Sequence, residues 1–169
     1  MATIRAAREA DVEALRRIET AAGEVFRTIG LDIVADDPPP SAQELYPFVS
    51  EGRAWVVDEG AGPTAYLLGA VVDGAGHVEQ VSVDPRHAGR GLGRALLEHY
   101  VAHLVAQGFE SVTLTTYVDV PWNGPYYERC GFRWLRDAEI TPGLRALREE
   151  EARRGLDVRP RGCMRRILS

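Results

Sequence analysis

Residues 78–97 place the strongest constraint on the fold. Val78-Glu79-Gln80-Val81-Ser82-Val83 is an apolar-polar strand, Asp84-Pro85 stops it, and Gly89-Arg90-Gly91-Leu92-Gly93-Arg94 opens a helix. A strand feeding a glycine-rich turn and a helix N-terminus builds an anion site. The glycines let the backbone turn sharply and approach a ligand. The first N–H groups of the helix, with the macrodipole behind them, face a phosphate. Arg90 and Arg94 add positive charge at that mouth. A P-loop would need Gly-Lys followed by Ser or Thr, and the chain has no lysine. A Rossmann fingerprint needs glycine three residues after Gly91, where Arg94 stands, and opens the first βαβ unit, whereas this loop lies mid-chain.

Within that segment, Ala88-Gly89-Arg90-Gly91-Leu92-Gly93 resembles the acyl-CoA-binding stretch of the GNAT superfamily of N-acetyltransferases. The family pattern there is Arg or Gln, two residues, Gly, any residue, then Gly or Ala. Ala88 replaces the leading Arg or Gln, which removes one side chain near the pyrophosphate and leaves the backbone amides in place. Arg86 and His87 are the neighbours able to compensate. A second segment, Asn123-Gly124-Pro125-Tyr126-Tyr127-Glu128-Arg129-Cys130-Gly131-Phe132, resembles the family's Asn … Tyr-x-Lys/Arg-x-Gly-Phe, with a shortened gap after Asn123. The two motifs occur in the family's order, about thirty residues apart.

The resemblance implies a GNAT fold: a central mixed, mostly antiparallel sheet of six to seven strands flanked by helices. It implies acetyl-CoA as co-substrate and no metal. It implies that strand residues 81–83 splay from their neighbour. The Val81 amide then polarises the thioester oxygen and Val83 bonds the pantetheine arm. The amides of Gly89, Arg90, Gly91, Leu92, Gly93 and Arg94 take the pyrophosphate, with Ala88 leading the loop. Asn123 contacts the pantetheine, and Tyr127 matches the tyrosine often assigned as general acid.

At 169 residues the chain is most simply one domain, residues 1–169. No run approaches the roughly eighteen apolar residues of a membrane span. The N-terminus has no apolar h-region, so a cytoplasmic location is expected. Two cysteines, Cys130 and Cys163, make no disulfide framework. A net charge of −5 argues against nucleic acid as a partner. Acidic residues gather at Glu19, Glu24, Asp32, Asp36 and Asp37. They form either a solvated loop or an acidic rim that attracts a cationic amine.

Elsewhere, Thr3 to Arg8 reads as a strand, and Glu9-Ala10-Asp11 opens a helix with Val12, Leu15, Ile18, Ala22 and Val25 on one face. Gly30 to Pro40 reads as a loop. Ser41 with Glu44 forms a capping box for a helix reaching about Ser50. Strands are expected over Arg53 to Asp58, Thr64 to Val72, His77 to Val83, Val112 to Val118, Phe132 to Leu135 and Gly162 to Leu168. Helices are expected from Gly91 to Gln107, with Leu92, Ala95, Leu96, Val101 and Leu104 as its stripe, and from Pro125 to Arg129. An extra helix runs from Pro142 to Gly155, between the last two strands. Thr141 is its expected cap and Glu149 with Arg153 an i,i+4 pair. It is a packing helix, a wall or lid over the acceptor, or a homodimer contact.

Acetyl transfer to an amine requires a held thioester, a polarised carbonyl oxygen, a neutral amine and a protonated leaving thiolate. No Ser, Cys or His stands in a nucleophile motif, so direct transfer in a ternary complex is expected. His77, Glu79, Val81 and Val83 lie at period two, which offers His77 and Glu79 as bases. An ordinary His pKa near 6.5 would need little tuning. Either residue is otherwise structural. Trp122 and Tyr126 line a pocket or pack the core. His99 and His103 have metal-like spacing but no third ligand, and read as surface residues. The leading reading is an N-acetyltransferase for a small amine. Acetylation of a protein or peptide, and a non-catalytic acyl-CoA sensor, are the alternatives.

Overall fold

The computed structural model describes residues 2–169. Met1, part of the N-terminal stretch read above, lies outside the described residues. The elements are β1 (Thr3–Ala6), α1 (Val12–Glu24), α2 (Asp32–Ala35), α3 (Ala42–Ser50), β2 (Ala54–Asp58), β3 (Pro63–Val72), β4 (Ala75–Val83), α4 (Leu92–Ala106), β5 (Ser111–Tyr117), α5 (Gly124–Arg129), β6 (Arg133–Trp134), α6 (Pro142–Arg153) and β7 (Arg161–Ile167). The strands order β1-β2-β3-β4-β5-β7-β6 in a seven-stranded sheet. Pairing is parallel between β4 and β5, at Gly76↔Val112 and His77↔Thr113. It is antiparallel for β1/β2, β2/β3, β5/β7 and β6/β7. This is the mixed, mostly antiparallel sheet expected, with α6 inserted between β6 and β7.

The chain forms two compact units. One comprises residues up to Gly69 together with Glu79–Tyr100, the other Ala70–Val78 with Val101–Ser169.

In the first unit, α1 buries Val12, Leu15 and Ile18 against Leu45 of α3 and Val56, Tyr66 and Leu68 of β2 and β3. The 3.6-residue spacing of those apolar positions sets this face. Arg5 of β1 bridges Asp11, at 2.8 Å, and Asp58, at 3.0 Å. The capping box of α3 is formed in both directions, Glu44 N–H to Ser41 Oγ at 3.1 Å and Ser41 N–H to Glu44 Oε1 at 3.2 Å. The Gly30–Pro40 loop contains a helix, α2, that was not expected. Buried Leu31 and Ala35 lie four residues apart and anchor it beneath an Asp- and Pro-rich surface. On α4, Leu92 and Leu96 are buried as read, but so are Leu97 and Tyr100, while Ala95 is exposed. The missing side chain of Gly69 admits the Tyr100 ring, since a Cβ there would stand 2.6 Å from it. Trp55 packs on the same ring at 5.2 Å.

In the second unit, β5 pairs with β7 from Ser111↔Ile167 to Tyr117↔Arg161. Helix α6 buries Leu144 and turns Glu151 inward, where Thr115 of β5 and Arg161 of β7 both donate to it. It thus packs on these two strands. Two local expectations fail. Thr141 occupies the N-cap position, but its hydroxyl makes no cap bond. The Gly143 N–H is instead accepted by Asp73, in the β3–β4 turn, at 2.8 Å. Arg153 pairs with Glu150 at 3.0 Å rather than with Glu149.

Candidate active site

The glycine loop lies wholly in the first unit. Asp84 ends β4, its N–H bonding Thr64 O at 2.9 Å, and its buried carboxylate accepts the Arg86 N–H at 3.0 Å to start a single 3-10 turn. Arg86 beside it holds the Asp84 carboxyl below the usual range. Gly89 and Gly91 follow with φ of +78° and +74°, a left-handed backbone that L side chains rarely adopt. A Cβ at either position would meet nothing within 4 Å, so conformation and not space selects glycine. Ala95 donates to Gly91 O at 3.0 Å. The N–H groups of Leu92, Gly93 and Arg94 therefore precede the helical ladder of a fifteen-residue helix and remain available to an anion.

The side-chain charges differ from expectation. Arg90 turns away into an ion pair with Glu59, at 2.8 Å for one contact, and pulls the Glu59 carboxyl down. Arg86 is likewise engaged with Asp84, at 2.8 Å. Arg94 makes no ion pair among the described residues. The positive character of the mouth therefore comes from the helix N-terminus and Arg94.

Behind the strand that leads into this loop sits a polar chain that sequence reasoning missed. Tyr66 Oη donates to Glu19 Oε2 at 2.5 Å, Ser82 Oγ donates to the same oxygen at 2.7 Å, and Gln80 Nε2 donates to Ser82 Oγ at 2.8 Å. In the sequence, Glu19 reads as part of the acidic run. A polar residue directly after core Ile18 was the available signal. Of that run, Glu24 and Asp36 share one counter-ion, Arg27, so the run keeps most of its negative charge.

The two candidate bases differ sharply. Glu79 is exposed. His77 is only 3% exposed, with Nδ1 2.8 Å from Thr113 Oγ1. Burial pushes its pKa down from 6.5 to about 4, against a smaller opposing pull from Glu151. The ordinary pKa expected for His77 therefore does not hold. Gly76, His77 and Val78 are all buried, so burial along β4 does not follow the simple alternation assumed.

The second motif lies in the second unit. Tyr127, 8% exposed, packs edge-on against Tyr126, with centroids 5.4 Å apart, and Phe132, at 5.9 Å. Its N–H bonds Asn123 O at 2.9 Å, and its carbonyl receives Phe132 N–H at 3.0 Å, so the turn of α5 fixes both motif ends. Asn123 Oδ1 is buried without a hydrogen-bond partner, a cost expected to be relieved by a donor. Gly124 sets the position of α5. A Cβ there would lie 2.5 Å from the Trp134 ring and 2.8 Å from Val118 O, so no other residue lets the helix start this close to β5. Trp122 and Tyr126 are half-buried, and Cys130 and Cys163 are buried thiols.

A cleft of about 380 Å³ in this unit, lined by Asp73, Phe109, Glu110, Thr113, Thr141 and Arg165 among others, includes none of the motif residues. His99 is exposed, its ring edge-on to Trp55 at 6.3 Å. Among the described residues no group of three or more His, Cys, Asp or Glu could hold a metal. Nor, among those residues, is any helix long and apolar enough to cross a membrane.

The fold is shared with solved acetyltransferases. The ribosomal-protein-S18-alanine N-acetyltransferase from Escherichia coli superposes with a TM-score of 0.70 at 23% identity, over 100% of this chain and 95% of that one. N-acetylglutamate synthase from Neisseria gonorrhoeae, complexed with coenzyme A and N-acetyl-glutamate, gives 0.72 at 16% identity. This chain is covered in full and spans 35% of the length of that one. PaiA N-acetyltransferase from Thermoplasma acidophilum, in complex with coenzyme A, gives 0.71 at 11% identity over 99% of both chains. The family model for the Acetyltransferase (GNAT) family matches residues 12–132, a span that holds both the glycine loop and the Tyr127 motif. The chain belongs to the acetyltransferase (GNAT) family of acyltransferases.

Proposed function

We propose that residues 1–169 act as one catalytic domain that moves the acetyl group of acetyl-CoA to a primary amine of a small molecule. The observation that carries this reading is the left-handed backbone at Gly89 and Gly91, directly ahead of helical N–H groups that have no ladder partner. That arrangement suits a pyrophosphate. Arg94 supplies the side-chain charge, and Ala88, where the family has Arg or Gln, leaves recognition to the backbone.

The remaining roles rest on the match to the family motifs. The Val81 N–H polarises the thioester oxygen, and Val83 bonds the pantetheine arm. Asn123 offers its unpartnered Oδ1 to a pantetheine N–H. The neutral amine attacks the thioester carbon, the C–S bond breaks as the C–N bond forms, and Tyr127 protonates the departing thiolate. Glu79 takes the amine proton through water. Exposed Glu79 can pass a proton to water, whereas the His77 ring is buried and held by Thr113. Two buried, unbridged cysteines suit the reducing cytoplasm in which we place the reaction.

Thiol release from acetyl-CoA across small amines, peptides and a blank tests the proposal. Release with small amines supports it. Release with peptides alone reassigns the acceptor, and acetyl-CoA binding without release makes the protein a sensor.

A further inference from the structure

Glu19 differs from four other carboxylates of the first unit that are buried or half-buried. Asp11, Asp58, Glu59 and Asp84 each face an arginine. Glu19 is half-buried beside core Ile18, and no Arg or His pairs with it among the described residues. Its Oε2 is held by two neutral hydroxyls, from Tyr66 and Ser82, and its Oε1 has no partner among the described residues. The supports are themselves rigid. Tyr66 is 1% exposed, Ser82 is buried, and Gln80 donates to Ser82 Oγ so that the Ser82 hydrogen points at Glu19. Burial and the nearby Glu19 charge keep the Tyr66 phenol protonated, hence a donor.

A carboxylate partly withdrawn from water with no counter-ion beside it is a ready partner for a cation, because neutral hydroxyls leave its charge uncompensated. Ser82, which anchors Glu19, stands between Val81 and Val83, the residues proposed to hold the thioester and the pantetheine arm.

Resting on the proposed transferase activity, we infer that Glu19 Oε1 holds an alkylammonium nitrogen of the acceptor, which makes the acceptor class aliphatic amines that arrive as cations rather than uncharged aromatic amines. Glu19 then both selects the acceptor and delivers it beside β4. The carboxylate binds the charged form, and attack follows after the proton is lost elsewhere.

The test uses the full chain and calorimetry with acetyl-CoA first, then with n-butylamine, 1,4-diaminobutane, cyclohexylamine or aniline added to the complex. The key variant is Glu19→Gln, which keeps an acceptor for Tyr66 and Ser82 but removes the charge. Glu19→Asp keeps the charge with shorter reach, and thermal melting checks the fold of both. The expected result is acetyl-CoA affinity equal in all three proteins, alkylammonium binding weakened about tenfold or more in Glu19→Gln, partial retention in Glu19→Asp, and no change for aniline. Equal alkylammonium affinity in wild type and Glu19→Gln overturns the inference alone, as does failure of every alkylammonium to bind the wild type–acetyl-CoA complex. Failure of acetyl-CoA to bind the wild type overturns the transferase reading and this inference with it.

Discussion

His77 Nδ1 lies 2.8 Å from Thr113 Oγ1, across the parallel pairing of β4 and β5, and the same hydroxyl donates to Gly76 O at 3.4 Å. With its hydrogen given to Gly76, Thr113 can only accept from the ring, so Nδ1 carries the hydrogen in this assignment. The ring is a neutral structural donor, and its depressed pKa has a consequence for stability. In the unfolded chain the histidine titrates near 6.5, in the native protein at about 4. As pH falls from 6.5 to 4 only the unfolded state gains the proton, so native stability is full above 6.5 and declines through that window. The loss reaches roughly 3 kcal/mol at the lower end. Urea denaturation at several pH values should show this decline in the wild type and a much flatter profile in His77→Gln. The same decline in both would place the acid sensitivity elsewhere.

Substitutions at Gly91 separate backbone conformation from charge. Gly91→Ala meets open space but must adopt φ near +74°, at a cost of about 1–2 kcal/mol in backbone strain. Gly91→Glu carries that strain and adds a negative charge at the proposed phosphate site. Acetyl-CoA affinity should fall modestly in the Ala variant and by about 10²-fold or more in the Glu variant, with both still folded. Unchanged calorimetric affinity in Gly91→Glu would remove the phosphates from this loop.

Much of this region was legible because it is local. The glycine loop, the Ser41–Glu44 capping box and the insertion of α6 are each written within a dozen neighbouring residues. What escaped depends on partners distant in sequence. Asp73 caps α6 from seventy residues away, so Thr141 looked sufficient. Arg90 is drawn off by Glu59, on the β2–β3 turn. Glu19, Tyr66 and Ser82 sit on three elements, and no spacing rule brings them together. The burial of His77 follows from what covers its strand, which periodicity alone does not report.

Tyr127 should act in the transition state and contribute little to binding. Tyr127→Phe keeps the ring that packs on Tyr126 and Phe132 and loses only the hydroxyl. We expect kcat to drop roughly 10²-fold with KM nearly constant, as loss of a general acid does. A Phe variant with full kcat would leave Tyr127 a packing residue.

Gly124 should prove intolerant of even one methyl. The Cβ of Gly124→Ala would enter between Trp134 and the Val118 carbonyl, and overpacking of this kind costs about 1–3 kcal/mol. The start of α5 must shift, carrying Asn123 and Tyr127 with it. A lower Tm together with lowered kcat is expected. Trimming the obstacle in a Gly124→Ala/Trp134→Phe double variant should recover part of the Tm. A single variant as stable and active as the wild type would show that α5 is not held by this contact.

The assignment of the base rests on which group can pass the amine proton to water. An alkylammonium must lose a proton before its nitrogen can attack, so kcat/KM should rise with pH across the neutral range. His77, titrating at about 4 and bonded to Thr113, is already deprotonated throughout that range and cannot generate the limb. His77→Gln should therefore keep the wild-type shape of the profile between pH 5.5 and 8, whatever it does to stability. Glu79→Gln should lower kcat/KM by about 10²-fold at neutral pH by removing the relay to water, and activity should recover as pH approaches the pKa of the free amine, where no base is needed. A profile flattened by His77→Gln and untouched by Glu79→Gln would mean that the ring titrates far above 4 when substrates are bound. The base would then be His77.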